Sequence, residues 1–228
     1  MSVEHALLKP IRSELHYRGV YGDNAFELLG APVPLYRSLV THLGPFGVTL
    51  QNLKFESSGL ADSHVSCGLP ELNVGIRVRV DRVEIDFWRL HEIGADSADR
   101  IVLATWTAVR EASDSVGIAS HFVDLIMIAE ILGGNCSALM NRYVMPPEQL
   151  GVVDTGVAFY SRPVEKDQQW VDVVLDRVFG QDSQLFVKVT MGFSAAEVAI
   201  DALALHVGTI TNTTLDRVGL QLGTDGPK

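Results

Sequence analysis

Leu185, Val187, Val189, Met191 and Phe193 take every second place in one unbroken run, QLFVKVTMGF (184–193). Successive side chains on a strand point to opposite faces, so this run predicts a strand with one face committed to a core. The preceding run, QWVDVVLDRVF (169–179), has the same character. Gly180-Gln181-Asp182-Ser183 between them supplies turn residues, and together the segments predict a hairpin.

Alternation recurs along the chain. ELHYRGVY (14–21) sets Leu15, Tyr17 and Tyr21 on one side, with Gly19 as its weak point. VTLQNLKFES (48–57) changes phase at Gln51-Asn52, which predicts a bulge or kink. GIRVRVDRVEIDFW (75–88) reads as one strong strand whose phase switches at Asp81-Arg82. Weaker strands are expected at 64–67 and 156–161, and a final one at LDRVGLQL (215–222).

Three segments carry helical patterns. In APVPLYRSLVTHLGPFG (31–47), Pro34 suits a first turn, Leu35, Leu39 and Leu43 form one stripe, and Gly44-Pro45 ends it. ADSADRIVLATWTAVREASD (95–114) offers Asp96 or Ser97 as a cap, Asp99 near the positive end, and Ile101, Ala104, Ala108 and Val109 inward. Ser194-Ala195-Ala196-Glu197 has capping-box spacing and predicts a helix to about residue 211 with Ala196, Ile200, Leu203, Val207 and Ile210 inward. SHFVDLIMIAEIL (120–132) is apolar at nearly every position, so periodicity does not arbitrate. A buried central strand is the preferred reading, and a helix ending at Gly133-Gly134 is the alternative.

Hairpins without regular βα alternation define an α+β fold: mainly antiparallel β-sheet with about three helices packed on one face. The 228 residues, 47% of them hydrophobic, suffice for one domain with a sizeable core. The alternative is two closely packed lobes, about 1–133 and 155–228, joined by the Pro-containing MPPEQLGVVD (145–154).

Leu-Asp-Arg-Val occurs at 175–178 and 215–218, and Val-Asp-Arg-Val at 80–83. Adjacent strand residues face opposite sides, and the separations define no common period, so the repeat is expected to be a structural habit rather than a binding element. A weaker reading is a duplicated helix-strand unit, 95–114 and its following segment against 194–211 and the final strand.

The net charge of −10, with Lys scarce and Arg scattered, argues against nucleic acid or anionic membrane as a partner. Two cysteines, Cys67 and Cys136, make neither a CxxC pair nor a disulfide scaffold. The stretch MSVEHALLKPIRSELHYRG has no apolar run suited to a secretion signal, and the expectation is a reducing, cytoplasmic location.

Gly133-Gly134-Asn135-Cys136-Ser137 is the best site candidate. A helix opening at Asn135 would put Cys136 in its first turn, where the dipole activates a thiol, and Gly133, Gly134 and Asn135 could cradle an anionic ligand on free N–H groups. Against this, Gly-Gly can simply separate two elements, with Cys136 a small buried hydrophobe. His121 is the candidate base. It could pair with Asp124 on a helix, but on a strand the two point apart. His91, Glu92, Asp96 and Asp99 lack a recognised ligand spacing, and no metal site is expected. His206 reads as a packed helix residue, and His16 with Arg18 as a solvated strand face. Trp88, Trp106 and Trp170 suit a pocket wall or the core. No nucleotide-binding or hydrolase motif appears, and no cofactor is expected.

The leading expectation is therefore a non-catalytic binding or assembly module forming a homo-oligomer, with a protein or small molecule as a further partner. The alternative is a small-molecule enzyme or ligand binder with a pocket near Cys136.

Overall fold

The computed structural model describes residues 5–57, 59, 62–144, 156–161, 169–196 and 198–223. The expected connection 145–154 and Glu197 lie outside them. The strands are β1 (Ala6–Tyr21), β2 (Leu53–Glu56), β3 (His64–Leu69), β4 (Val74–Arg79), β5 (Arg82–Phe87), β6 (Ile118–Leu132), β7 (Val157–Tyr160), β8 (Trp170–Val178), β9 (Gln181–Ser194) and β10 (Leu220–Leu222). The helices are α1 (Phe26–Gly30), α2 (Val33–Leu43), α3 (Leu90–Ile93), α4 (Ala95–Ala112), α5 (Cys136–Met140) and α6 (Leu203–Arg217). The fold is α+β. The strands hydrogen-bond in the order β2-β3-β4-β5-β1-β6-β9-β8-β7, and β10 pairs in parallel with β1.

The chain forms two compact units, one of Glu14–Val123 and Gly192–Ala204, the other of Met1–Ser13, Asp124–Met191 and Leu205–Lys228. In the first unit, β4 and β5 form a hairpin that sets Val78 opposite Val83, Ile76 opposite Ile85 and Val74 opposite Phe87. All six are buried. Each such side chain taken from water stabilises the fold by roughly 1.5–3 kcal/mol before entropy is counted. β3 continues this face through Val65, Cys67 and Leu69, and β1 through Tyr17 and Tyr21. Helix α4 covers it: the Trp106 ring meets Tyr21 edge-on at 5.8 Å. Helix α2 packs on α4 with Leu35, Leu39 and Leu43 buried, and Ser38 and His42 each donate to the Glu111 carboxylate at 2.6 Å.

The out-of-phase positions make a charged ladder on the other face. His16 of β1 stands opposite Asp86 of β5 and donates to it at 2.8 Å. Arg18 stands opposite Glu84, and so does Arg77 of β4, which also donates to Asp86. Of the two residues expected on a solvated face, His16 joins this ion-pair network and Arg18 is exposed.

In the second unit, β8 and β9 are consecutive neighbours, with Leu185, Val187, Val189 and Met191 buried. β7 extends the sheet, with Val157 opposite Leu175 and Phe159 opposite Val173. α6 buries Val207, Ile210 and Leu215. The parallel pair sets Ala6 opposite Leu220 and Leu8 opposite Leu222.

Several expectations are corrected. The phase switch at Asp81-Arg82 is a reversal between two strands, not a change of phase within one. At 50–52 the chain makes a single 3₁₀ turn closed by Thr49 and Asn52, rather than a bulge. The turn before β9 is Phe179-Gly180, with Gly180 at φ +74, so the strand begins at Gln181. Residues 120–132 are strand, as preferred. Helix α4 begins after Gly94, and its cap residue makes no side-chain hydrogen bond, so neither Asp96 nor Ser97 is its cap. The last helix does not open at Ser194, which ends β9, but at Leu203, and it continues through Arg217. The final strand is consequently only three residues long.

The tetrapeptide takes three conformations. At 80–83 it spans a reversal and the start of β5, at 175–178 it lies within β8, and at 215–218 it ends α6. It is a structural habit.

Candidate functional site

Strand β6 positions the site. Its buried phase runs His121, Val123, Leu125, Met127, Ala129 and Ile131, so the imidazole occupies a place patterned for an aliphatic side chain. Tyr17 holds the equivalent phase on β1, and Trp106 projects from the buried stripe of α4. The three meet in the core of the first unit. Trp106 Nε1–H donates to the Tyr17 hydroxyl oxygen at 2.8 Å. The Tyr17 hydroxyl and His121 Nδ1 are 2.9 Å apart. An indole is a donor only, so the hydroxyl oxygen accepts from it, and its own hydrogen is used by donating to Nδ1. That arrangement leaves no hydroxyl hydrogen unpaired in the core. Burial pushes the Tyr17 hydroxyl above its ordinary value, and the Trp106 hydrogen bond and the Arg110 charge only partly offset this. The ring of Phe193, from the end of β9, covers His121 at 5.3 Å.

The chain of polar groups ends beside a recess of about 420 Å³. His121 and Ile118 of β6 line it, together with Leu103 and Arg110 of α4 and the segment leading to the last helix, 198–201. Leu103 and Arg110 are seven residues apart and so share a helix face. The 198–201 segment is held from two sides. Ala195 N–H donates to Ala119 O at 3.0 Å. Asp99 accepts from Ala204 N–H at 3.1 Å, and burial raises the pKa of this carboxyl despite that bond. Among the described residues, no basic group lies within ion-pair distance of Asp201 and no carboxylate within that distance of Arg110.

The other candidates do not line this recess. Cys136 is fully buried at the start of the five-residue α5, and its thiol donates to Gln184 O at 3.0 Å. Asn135 is the cap of that turn, accepting from Ala138 N–H at 2.7 Å. Gly133 sits at φ +72, where a side chain would be strained, and Gly134 follows it. These residues belong to the second compact unit and His121 to the first. Asp124 is out of phase with His121, as expected for a strand, and accepts from Thr190 at 2.6 Å. His91, Glu92, Asp96 and Asp99 form no metal-holding group among the described residues. Trp88 is about half exposed and lies over Gly75.

Sequence reasoning selected His121 and named Trp106 but did not join them. Tyr17 read as one position of an alternating strand, the 198–201 segment read as part of a helix, and Arg110 carried no signal. No family model matches the chain, and no characterised protein matches its sequence. No helix among the described residues is long and apolar enough to cross a membrane.

Proposed function

We propose that the chain is a non-catalytic binding module whose ligand is a small molecule held in the His121 recess. The observation that carries this reading is the Trp106–Tyr17–His121 chain ending at the recess wall. Burying polar groups costs free energy unless each finds a partner, and an aliphatic residue at 121 would fill the same strand phase without that demand. The two hydrogen bonds fix ring orientation, which a binding site needs and a hydrophobic core does not. The volume falls within the roughly 300–1,000 Å³ typical of small-ligand sites. A binding role fits better than catalysis because burial keeps Tyr17 a neutral hydroxyl, so it is not an activated nucleophile.

Ala199 is exposed on the recess wall, and Ala199→Trp should fill the recess without disturbing the core. Tryptophan emission, dominated in its shift by the buried Trp106, should respond to bound small polar fragments in the native protein and not in this variant. Identical responses in both would remove the recess as the site.

A second reading, self-association, has its own support. β2 ends the strand order and carries Phe55, which is 45% exposed, and Leu50 in the 3₁₀ turn before it is 67% exposed. A terminal strand with exposed apolar side chains is a template for a second copy.

A further inference from the structure

We propose that the ligand of the recess is a small zwitterion, an α-amino acid with an aliphatic side chain, its carboxylate taken by Arg110 and its ammonium by Asp201. This rests on the reading of the recess as a binding site. Arg110 and Asp201 line the same cavity from different elements, the last turn of α4 and the single 3₁₀ turn before α6. They do not pair with each other, and neither pairs with another described residue. Two opposite charges that face one cavity without closing on each other leave a gap that a ligand with the complementary pair can bridge. A simple anion would satisfy Arg110 and be repelled by Asp201, and a simple cation would meet the reverse. Apart from His121, the rest of the wall is aliphatic, with Leu103, Ile118, Val198 and Ile200 its larger side chains. That lining suits a hydrocarbon side chain, and at about 420 Å³ the space is of single amino-acid rather than dinucleotide scale.

The charges sit on exposed side chains, so their energies in water are modest and the specificity comes from meeting both at once. The segment bearing Asp201 is anchored by the Asp99–Ala204 hydrogen bond to α4, the helix that bears Arg110. The backbone positions that carry the two charges are therefore tied together by the fold.

The test is calorimetric titration of the full chain with L-leucine, N-acetyl-L-leucine, L-leucinamide and 3-methyl-1-butanol. The acetyl derivative keeps the carboxylate and loses the ammonium, the amide does the opposite, and the alcohol keeps only the hydrocarbon. The expected result is that leucine binds, with each derivative weaker by about tenfold or more, a difference of about 1.4 kcal/mol for each lost charge contact. Arg110→Gln should erase the advantage of leucine over leucinamide, and Asp201→Asn its advantage over N-acetyl-leucine. Both side chains are exposed, so circular dichroism of the variants should match the native protein.

Three results would overturn the inference. If a derivative matches leucine, or the two variants leave the ranking unchanged, the zwitterion assignment fails while the recess remains a binding site. If none of the four binds at about 10 mM, where a millimolar site would be largely filled, the assignment fails. If the emission response also survives Ala199→Trp, the reading of the recess fails with it.

Discussion

A Cβ built on Gly19 would lie on Trp106 Cζ2 and 2.5 Å from the Tyr17 hydroxyl, two groups joined by a hydrogen bond in the core. Neither can retreat without breaking that bond, so the glycine is what allows α4 to lay its indole against β1. Gly75 offers a contrast. Its Cβ would come 2.6 Å from Trp88 Cη2, but this is the far end of a half-exposed ring that can swing into solvent. Gly19→Ala should therefore cost about 2 kcal/mol or more by overpacking, and Gly75→Ala less than about 1 kcal/mol. Urea denaturation followed by circular dichroism checks the difference. The cysteines give a second test at this scale. Burial pushes the Cys67 thiol up to about 12, and Cys136 is fully buried with its hydrogen donated to Gln184 O. Both should resist iodoacetamide at pH 7 in the native protein and react once it is unfolded. Rapid native alkylation of Cys136, read by mass, would restore it as a nucleophile. The residue types of the site were visible in the sequence: a histidine in an apolar run, and a tryptophan on a helix. Their partnership was not, because the two hydrogen bonds span 89 and 104 residues and local patterning carries no such information.

Patterning was most informative where one element has one buried face and least where two elements meet. The runs at 184–193 and 75–88 both alternate: 184–193 lies within one strand, and 75–88 covers two. Yet the reversal at Val80-Asp81 hides in the pattern, because it is not a glycine-containing turn and a reversal gives the same phase change as an irregularity within one strand. The true hairpin sign was the charge pattern: Arg77 and Arg79 on one side of the turn face Glu84 and Asp86 on the other. Glu84 is within 3.3 Å of Arg77 and 3.4 Å of Arg79. The capping-box spacing at 194–197 misled for a related reason. β9 continues through Ser194, and pairing along the sheet outweighs one cap worth about 1 kcal/mol. The ladder also predicts a pH dependence. Burial alone would raise the Glu84 and Asp86 carboxyls, but hydrogen bonds and charge from Arg82, Arg79, Arg77 and His16 outweigh it, and both end below their ordinary values of 4.5 and 3.8. Groups depressed in the fold contribute stability that is fully present above those ordinary values and is lost as pH falls through the lower, folded ones. Asp86→Asn should thus cost about 1–2 kcal/mol at pH 7 and progressively less below about pH 4. Urea midpoints from pH 7 to pH 2 would show it, and a constant difference across that range would contradict the assignment.

At the scale of the whole molecule, the proposed self-association would use β2, the strand that ends the sheet order. It is four residues long and carries Lys54, both of which are devices that normally protect a sheet edge from pairing. Self-pairing relieves the charge. With two copies antiparallel and Phe55 opposite its symmetry mate, Lys54 of each faces Glu56 of the other, and Leu50 lies just beyond the pairing. A twofold contact of this kind is self-complementary and closes at a dimer, so it does not propagate into fibres. Four residues supply few main-chain hydrogen bonds, and the association should accordingly be weak, with a dissociation constant on the order of micromolar or above. Sedimentation should then give a mass that rises with concentration from 24.9 kDa towards twice that value. Phe55→Lys would set lysines against one another at the centre and should hold the protein at the monomer mass. Glu56→Lys would remove the cross-strand charge match while keeping the aromatic contact, so it should weaken association only in part, and more at low salt than at high salt. If both variants sediment as the native protein does, β2 is not the contact. If the native protein stays monomeric at every concentration, the binding function rests on the His121 recess alone.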